Sequence, residues 1–141
     1  MFKFTRAGSL FVVLAFLLGA CGGRNTPAVR GDATRGKSLY EQMTIGPNAA
    51  PGCVTCHSLE PGVRLVGPSH AGLATRAAET IESPNYTGQA DTAAGYLRES
   101  IVEPNAYIEE GFTANVMYPK YKEDLSEQDI DDLVAFILTL K

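Results

Sequence analysis

The sequence predicts an all-α domain, and three observations carry that class. Near the C terminus, Ile130, Leu133, Val134, Ile137 and Leu138 recur at the i, i+3, i+4, i+7, i+8 spacing that lines one face of a helix. Asp32, Asp91 or Thr92, and Ser126 stand just before apolar runs, where their side-chain oxygens can accept the unpaired N–H groups of a first helical turn. No segment alternates apolar and polar residues as a half-buried strand does. At 141 residues the chain is long enough for one domain and too short for two.

The chain opens with Lys3 and Arg6, followed by an apolar run from Leu10 to Leu18. That is the layout of a secretory signal, and the run is short for a transmembrane span. It ends Leu18-Gly19-Ala20-Cys21, which resembles the bacterial lipoprotein box, with cleavage before Cys21 and a lipid on its sulfur. An uncleaved anchor helix, or an ordinary signal with an incidental cysteine, is the alternative. Residues 1–20 are thus expected to be a lipoprotein signal peptide and 21–31 a lipidated, flexible, Gly- and Pro-containing tether, with the folded domain in 32–141. Loss of Lys3 and Arg6 with the signal moves the formal charge from −4 to −6. No basic stripe is present, so nucleic acid is excluded as a partner.

A first helix is expected from Asp32, the N-cap, through Glu41. Gly36 inside it costs about 1 kcal/mol relative to alanine, which points to a close approach by another element. Residues 44–52, with two glycines and two prolines, read as loop. A second loop covers Ser58–Pro68, where Pro61-Gly62 and Gly67-Pro68 are turn signals. A short helix is expected over Ala71–Thr80, then a polar loop over Glu82–Gln89. The next helix runs to about Val102, with Tyr96, Leu97 and Ile101 on one face, and Pro104 ends it. The last helix starts at Ser126. Asp129 three residues on completes a capping box, and Leu125 and Ile130 have the spacing of a hydrophobic staple.

Between these elements lies Cys53-Val54-Thr55-Cys56-His57. Cys-x-x-Cys-His is the attachment signature of a c-type haem. Two thiols three positions apart can form thioethers with the two vinyl groups of one haem, and the adjacent imidazole can reach the iron. A zinc site would need four ligands, and the remaining Cys21, His57 and His70 do not make one. A thioredoxin-like pair would need a βαβ setting, which is missing. One covalent haem c is therefore expected, filling much of the apolar core. Covalent attachment outside the cytoplasmic membrane agrees with the export signal.

From Asp32 to Lys141 the chain resembles a class I cytochrome c. The resemblance rests on Gly36 and Tyr40, which match a glycine–aromatic pair at the helix crossing, and on Leu133 and Phe136, which match the opposing pair. It rests also on Gly67-Pro68 followed by Ala71-Gly72-Leu73. It implies N- and C-terminal helices crossing around one haem, with His57 as the proximal ligand. It further implies a Pro68 carbonyl that accepts the ring N–H of His57, and Met117 as the sixth ligand, 60 residues after His57. His70 is the rival ligand, but its closeness to Gly67-Pro68 places it on the proximal side. Tyr96 corresponds to a tyrosine whose hydroxyl lies near the methionine sulfur. The run from Tyr96 to Met117 also resembles cytochrome c domains of membrane respiratory assemblies, such as the lipoprotein monohaem subunit of alternative complex III and haem–copper oxidase subunit II. The loop between Tyr40 and Cys53 is longer than in the simplest members.

His/Met ligation fills both axial positions and raises the reduction potential. The resemblance therefore implies one-electron transfer rather than an enzymatic reaction. The protein would be a subunit of, or tethered carrier for, a quinol-oxidising, respiratory or photosynthetic complex. It would sit on the extracytoplasmic, periplasmic face of a bacterial membrane, with no small-molecule substrate. The alternative is a gas-binding or peroxidatic haem protein with a displaceable sixth ligand. Residues 42–56 and 111–119 contain no Asp, Glu, Lys or Arg, and are expected to form an uncharged docking face.

Overall fold

The computed structural model describes Met1 and residues 30–141. The expected signal peptide, Cys21 and nearly all of the tether lie outside the described residues. Gly31, at the end of that tether, already lies against Asp131.

Among the described residues five helices form in chain order: α1 (Ala33–Tyr40), α2 (Leu73–Ile81), α3 (Ala93–Val102), α4 (Tyr121–Asp124) and α5 (Glu127–Ile137). The class is all-α. Asp32 caps α1 by accepting from the N–H groups of Thr34 and Arg35. Thr92 caps α3 by accepting from Gly95 N–H. At α5 the Ser126 side chain accepts from Asp129 N–H and the Asp129 carboxylate accepts from Ser126 N–H, the full capping box. Each side chain satisfies an amide that the helix geometry leaves without an internal partner.

Helices α1 and α5 cross at Gly36. A Cβ at this position would stand 1.9 Å from the Asp132 carbonyl oxygen and 2.9 Å from Phe136 Cβ, so only glycine lets the two backbones approach this far. One turn on, the Tyr40 and Phe136 rings meet edge to face at 5.2 Å between centroids. Arg35 bonds Asp132 from Nε at 2.7 Å and from Nη2 at 3.0 Å, which ties the same crossing at its rim. Leu125, Ile130, Leu133, Val134 and Ile137 are all buried beneath it. Full burial of a side chain such as Ile130 contributes about 1.5–3 kcal/mol.

Two elements depart from the sequence expectation. Residues 44–52 hold a small antiparallel ladder, β1 (Thr44–Ile45) with β2 (Ala50–Pro51), in which Ile45 faces Ala50. Two-residue strands are too short to show alternation, yet Ile45 and Ala50 are both buried. Helix α4 is a single turn with no period to read. Its Asp124 accepts from Asn48 Nδ2 at 2.5 Å, so the long loop after α1 is fastened to the segment before α5. Among the described residues no helix is long and apolar enough to cross a membrane.

Candidate haem site

The Cys-x-x-Cys-His run sits on a single 3-10 turn, Cys53–Thr55. Its start is held by Tyr121, whose hydroxyl donates to the Pro51 carbonyl at 2.6 Å, and by Thr55, whose hydroxyl donates to the Gly52 carbonyl at 2.6 Å. His57 N–H donates to Cys53 O at 2.9 Å, which curls the histidine back over the first cysteine. The chain then loops out and returns. Gly67 N–H donates to Cys56 O at 2.9 Å, and His70 N–H donates to Ser58 O at 2.8 Å. That return brings Pro68 to the imidazole. The His57 Nδ1 stands 2.9 Å from the Pro68 carbonyl oxygen, a distance at which Nδ1–H donates.

This arrangement fits a haem. With Nδ1 committed to Pro68, the lone pair of Nε2 is left for a metal, and among the described residues no group hydrogen-bonds Nε2. Burial holds the His57 pKa below the ordinary histidine value, with the Pro68 bond acting weakly against it, so the ring stays neutral as a ligand must. A Cβ on Gly67 would stand 2.4 Å from His57 Cε1, so this glycine is what lets the returning backbone lie against the ring. Cys53 and Cys56 are free and half-buried. Burial, with Cys56 adding to it, pushes the Cys53 thiol up to about 11. A neutral, shielded thiol is the opposite of the low-pKa thiolate that disulfide exchange needs.

Cys53 and Met117 both pack against the core cluster that contains Tyr96. Met117 is partly buried, in the loop between α3 and α4. Two side-chain ties set that loop. Asn115 adopts a left-handed backbone (φ 62°), which asparagine tolerates better than most residues. Its N–H donates to Asn105 Oδ1 at 2.8 Å, and Asn105 Nδ2 donates to Asn115 Oδ1 at 3.1 Å. On the other side of Met117, the Tyr118 hydroxyl donates to Asp124 Oδ2 at 2.5 Å. Those two donors, Tyr118 first and Asn48 second, hold the Asp124 carboxyl below its usual range. Tyr96 is buried against Tyr86 and Tyr107, and no hydrogen bond joins it to Met117 among the described residues.

Three side chains near the site make contacts that the sequence does not specify. His70 lies on the proximal side, stacked on His57 itself, with ring centroids 3.9 Å apart and planes 24° from parallel. Tyr40 points its hydroxyl at His70 Nδ1, 3.1 Å away. Arg64 lays its guanidinium over the Phe112 ring, 3.9 Å from the centroid, and donates to the Gly111 carbonyl. Only the pairing of Gly36 with Tyr40 hinted that the tyrosine would face inward.

A covalent haem-binding helical domain is what this fold and motif define. The cytochrome c family model matches residues 33–141, and the chain belongs to that family. It is 31% identical over 106 residues to cytochrome c-550 of Novispirillum itersonii, covering 68% of this chain and 96% of that protein. It is 30% identical over 115 residues to cytochrome c-554(547) of Halothiobacillus neapolitanus, covering 79% of this chain and 99% of that one. No solved structure matches at a significant level. Members of the family bind haem c covalently and carry electrons, and this chain is a haem c electron-transfer protein.

Proposed function

We propose that the mature protein is a lipid-anchored, monohaem cytochrome c that serves a quinol-oxidising, respiratory or photosynthetic complex as its subunit or tethered carrier. The observation that carries the haem assignment is the His57 imidazole, bonded at Nδ1 to Pro68 and free at Nε2, one residue after Cys56. In this reading Cys53 and Cys56 form the thioethers, and His57 and Met117 are the axial ligands. Haem supplies a one-electron iron couple. The Pro68 carbonyl fixes the His57 tautomer and strengthens its donor nitrogen. Tyr96, buried beside Tyr86 and Tyr107, would lie near the Met117 sulfur.

The ties on both sides of Met117 favour a fixed sixth ligand over the displaceable one that a gas-binding or peroxidatic protein needs. The anchor rests on Leu18-Gly19-Ala20-Cys21 and on a thiol that the haem does not use. Two or more acyl chains on Cys21 would hold the protein at the extracytoplasmic face of a bacterial membrane, each buried CH₂ contributing about 0.8 kcal/mol.

Intact-mass measurement of membrane-extracted protein tests the assignment. The expected species begins at Cys21 and carries one haem and a diacylglyceryl group. Cys21→Ser is expected to release or misprocess the protein while leaving haem in place. An unmodified chain that retains residues 1–20 would reject the anchor. Co-purification with a membrane redox complex after mild detergent extraction would decide between subunit and carrier.

A further inference from the structure

The Pro68 hydrogen bond directs one atom of the His57 ring and leaves the ring plane weakly set. Histidine χ2 is a broad, roughly two-fold torsion, and a single N–H···O bond tolerates a wide range of approach at the carbonyl. The Gly67 backbone borders the ring near Cε1, but a contact across the face of the ring is needed to hold a planar ligand at one angle, and the structure supplies one. The His70 ring covers the His57 ring at 3.9 Å and 24°, and His70 is 91% shielded from solvent. His70 is anchored in turn. Its N–H donates to Ser58 O at 2.8 Å, and its Nδ1 is 3.1 Å from the Tyr40 hydroxyl. That hydroxyl also faces the His57 carbonyl oxygen at 3.5 Å, so it can donate there while accepting from His70 Nδ1–H. Tyr40 itself is fully buried at the α1–α5 crossing, edge to face with Phe136.

We propose that His70 is a positioning residue for the proximal ligand: stacked on His57 and anchored through Tyr40 to the α1–α5 crossing, it sets the angle of the His57 imidazole plane. The proposal rests on His57 being the iron ligand. No proton is gained or lost. A flat ring of the right reach is what the position requires, and filling its volume is not enough. The angle of the ligand plane governs how the unpaired electron of the oxidised iron is distributed, so it is read from the order and spread of the paramagnetically shifted haem methyl signals.

The experiment compares oxidised holoproteins by proton NMR, with exchange of the His57 Nδ1–H followed in the reduced state. His70→Phe keeps a planar ring and is expected to preserve the wild-type methyl order. His70→Leu fills the site without a plane, and His70→Ala empties it. Both are expected to change the methyl order and to speed Nδ1–H exchange, and either one suffices if the other does not fold. A wild-type methyl order in His70→Leu or His70→Ala overturns the proposal, as does a His70→Phe spectrum as altered as theirs. His57 ring protons without paramagnetic shifts in the wild type would instead overturn the ligand assignment on which the proposal depends.

Discussion

Gly36 and Asp132 approach so closely that a Cβ on the glycine would stand 1.9 Å from the Asp132 carbonyl oxygen. The obstacle is helix backbone and cannot swing aside. Gly36→Val is therefore expected to push α1 off α5 and destabilise the domain by about 1–3 kcal/mol or more. Denaturant unfolding of the holoprotein, followed by visible circular dichroism, measures this. A midpoint equal to wild type would mean that the crossing is loose.

The same crossing carries an acid-sensitive tie. Asp132 accepts from Arg35 Nε and Nη2, from Asp32 N–H at 2.6 Å and from Gln128 Nε2 at 2.8 Å. Arg35 first, with the Asp32 amide and Gln128 behind it, lowers the carboxyl from 3.8 to about 2. A depressed folded-state pKa contributes stability that is complete above the unfolded value and is lost as pH falls through the folded one. The contribution should thus be intact above about pH 4 and fade towards about pH 2. Arg35 is 60% exposed, so solvent screens the charge attraction and the hydrogen bonds dominate. Asp132→Asn, which leaves donors facing a donor, is expected to cost about 1–3 kcal/mol at neutral pH. It should also flatten the loss of stability between pH 4 and pH 2. Equal acid limbs for mutant and wild type in urea titrations would contradict this.

Met117→Ala is expected to abolish the weak far-red band of methionine–iron(III) ligation and to lower the reduction potential. It should also admit carbon monoxide to the reduced protein or cyanide to the oxidised one. Optical titration with a redox electrode reads both changes. An unchanged spectrum would reduce Met117 to a packing residue.

Electron transfer to the native partner is expected to depend only weakly on salt. Met43 and Val116 are exposed in the two uncharged segments that would border the haem edge. Several acidic residues outside them are already paired: Glu127 and Asp131 with Arg98, and Glu103 with Lys122. Arg64, held over Phe112, is a cation beside this face that the sequence does not place there. A tether on Cys21 would replace charge steering with an effective concentration on the order of mM. Stopped-flow rates of an anchor-free form should vary little as the Debye length shrinks from ~30 to ~8 Å. A steep, monotonic fall with added salt would show that remote charges direct docking.

The helices and the attachment motif were legible in the amino-acid order because their signals are local. Caps act over two or three residues, as Asp32 does on Thr34 and Arg35, and the α5 stripe repeats every three or four. The haem motif is five consecutive residues. The hairpin, the α4 turn and the stacking of His70 on His57 were decided only by tertiary structure. Asn48 meets Asp124 across 76 positions, Tyr40 meets His70 across 30, and Arg64 meets Gly111 across 47. Nothing in the neighbours of His70 marks it as a ring to be laid on His57. Its place follows from the return of Gly67–His70 along Cys56–Ser58, and from a tyrosine that the α1–α5 crossing turns inward.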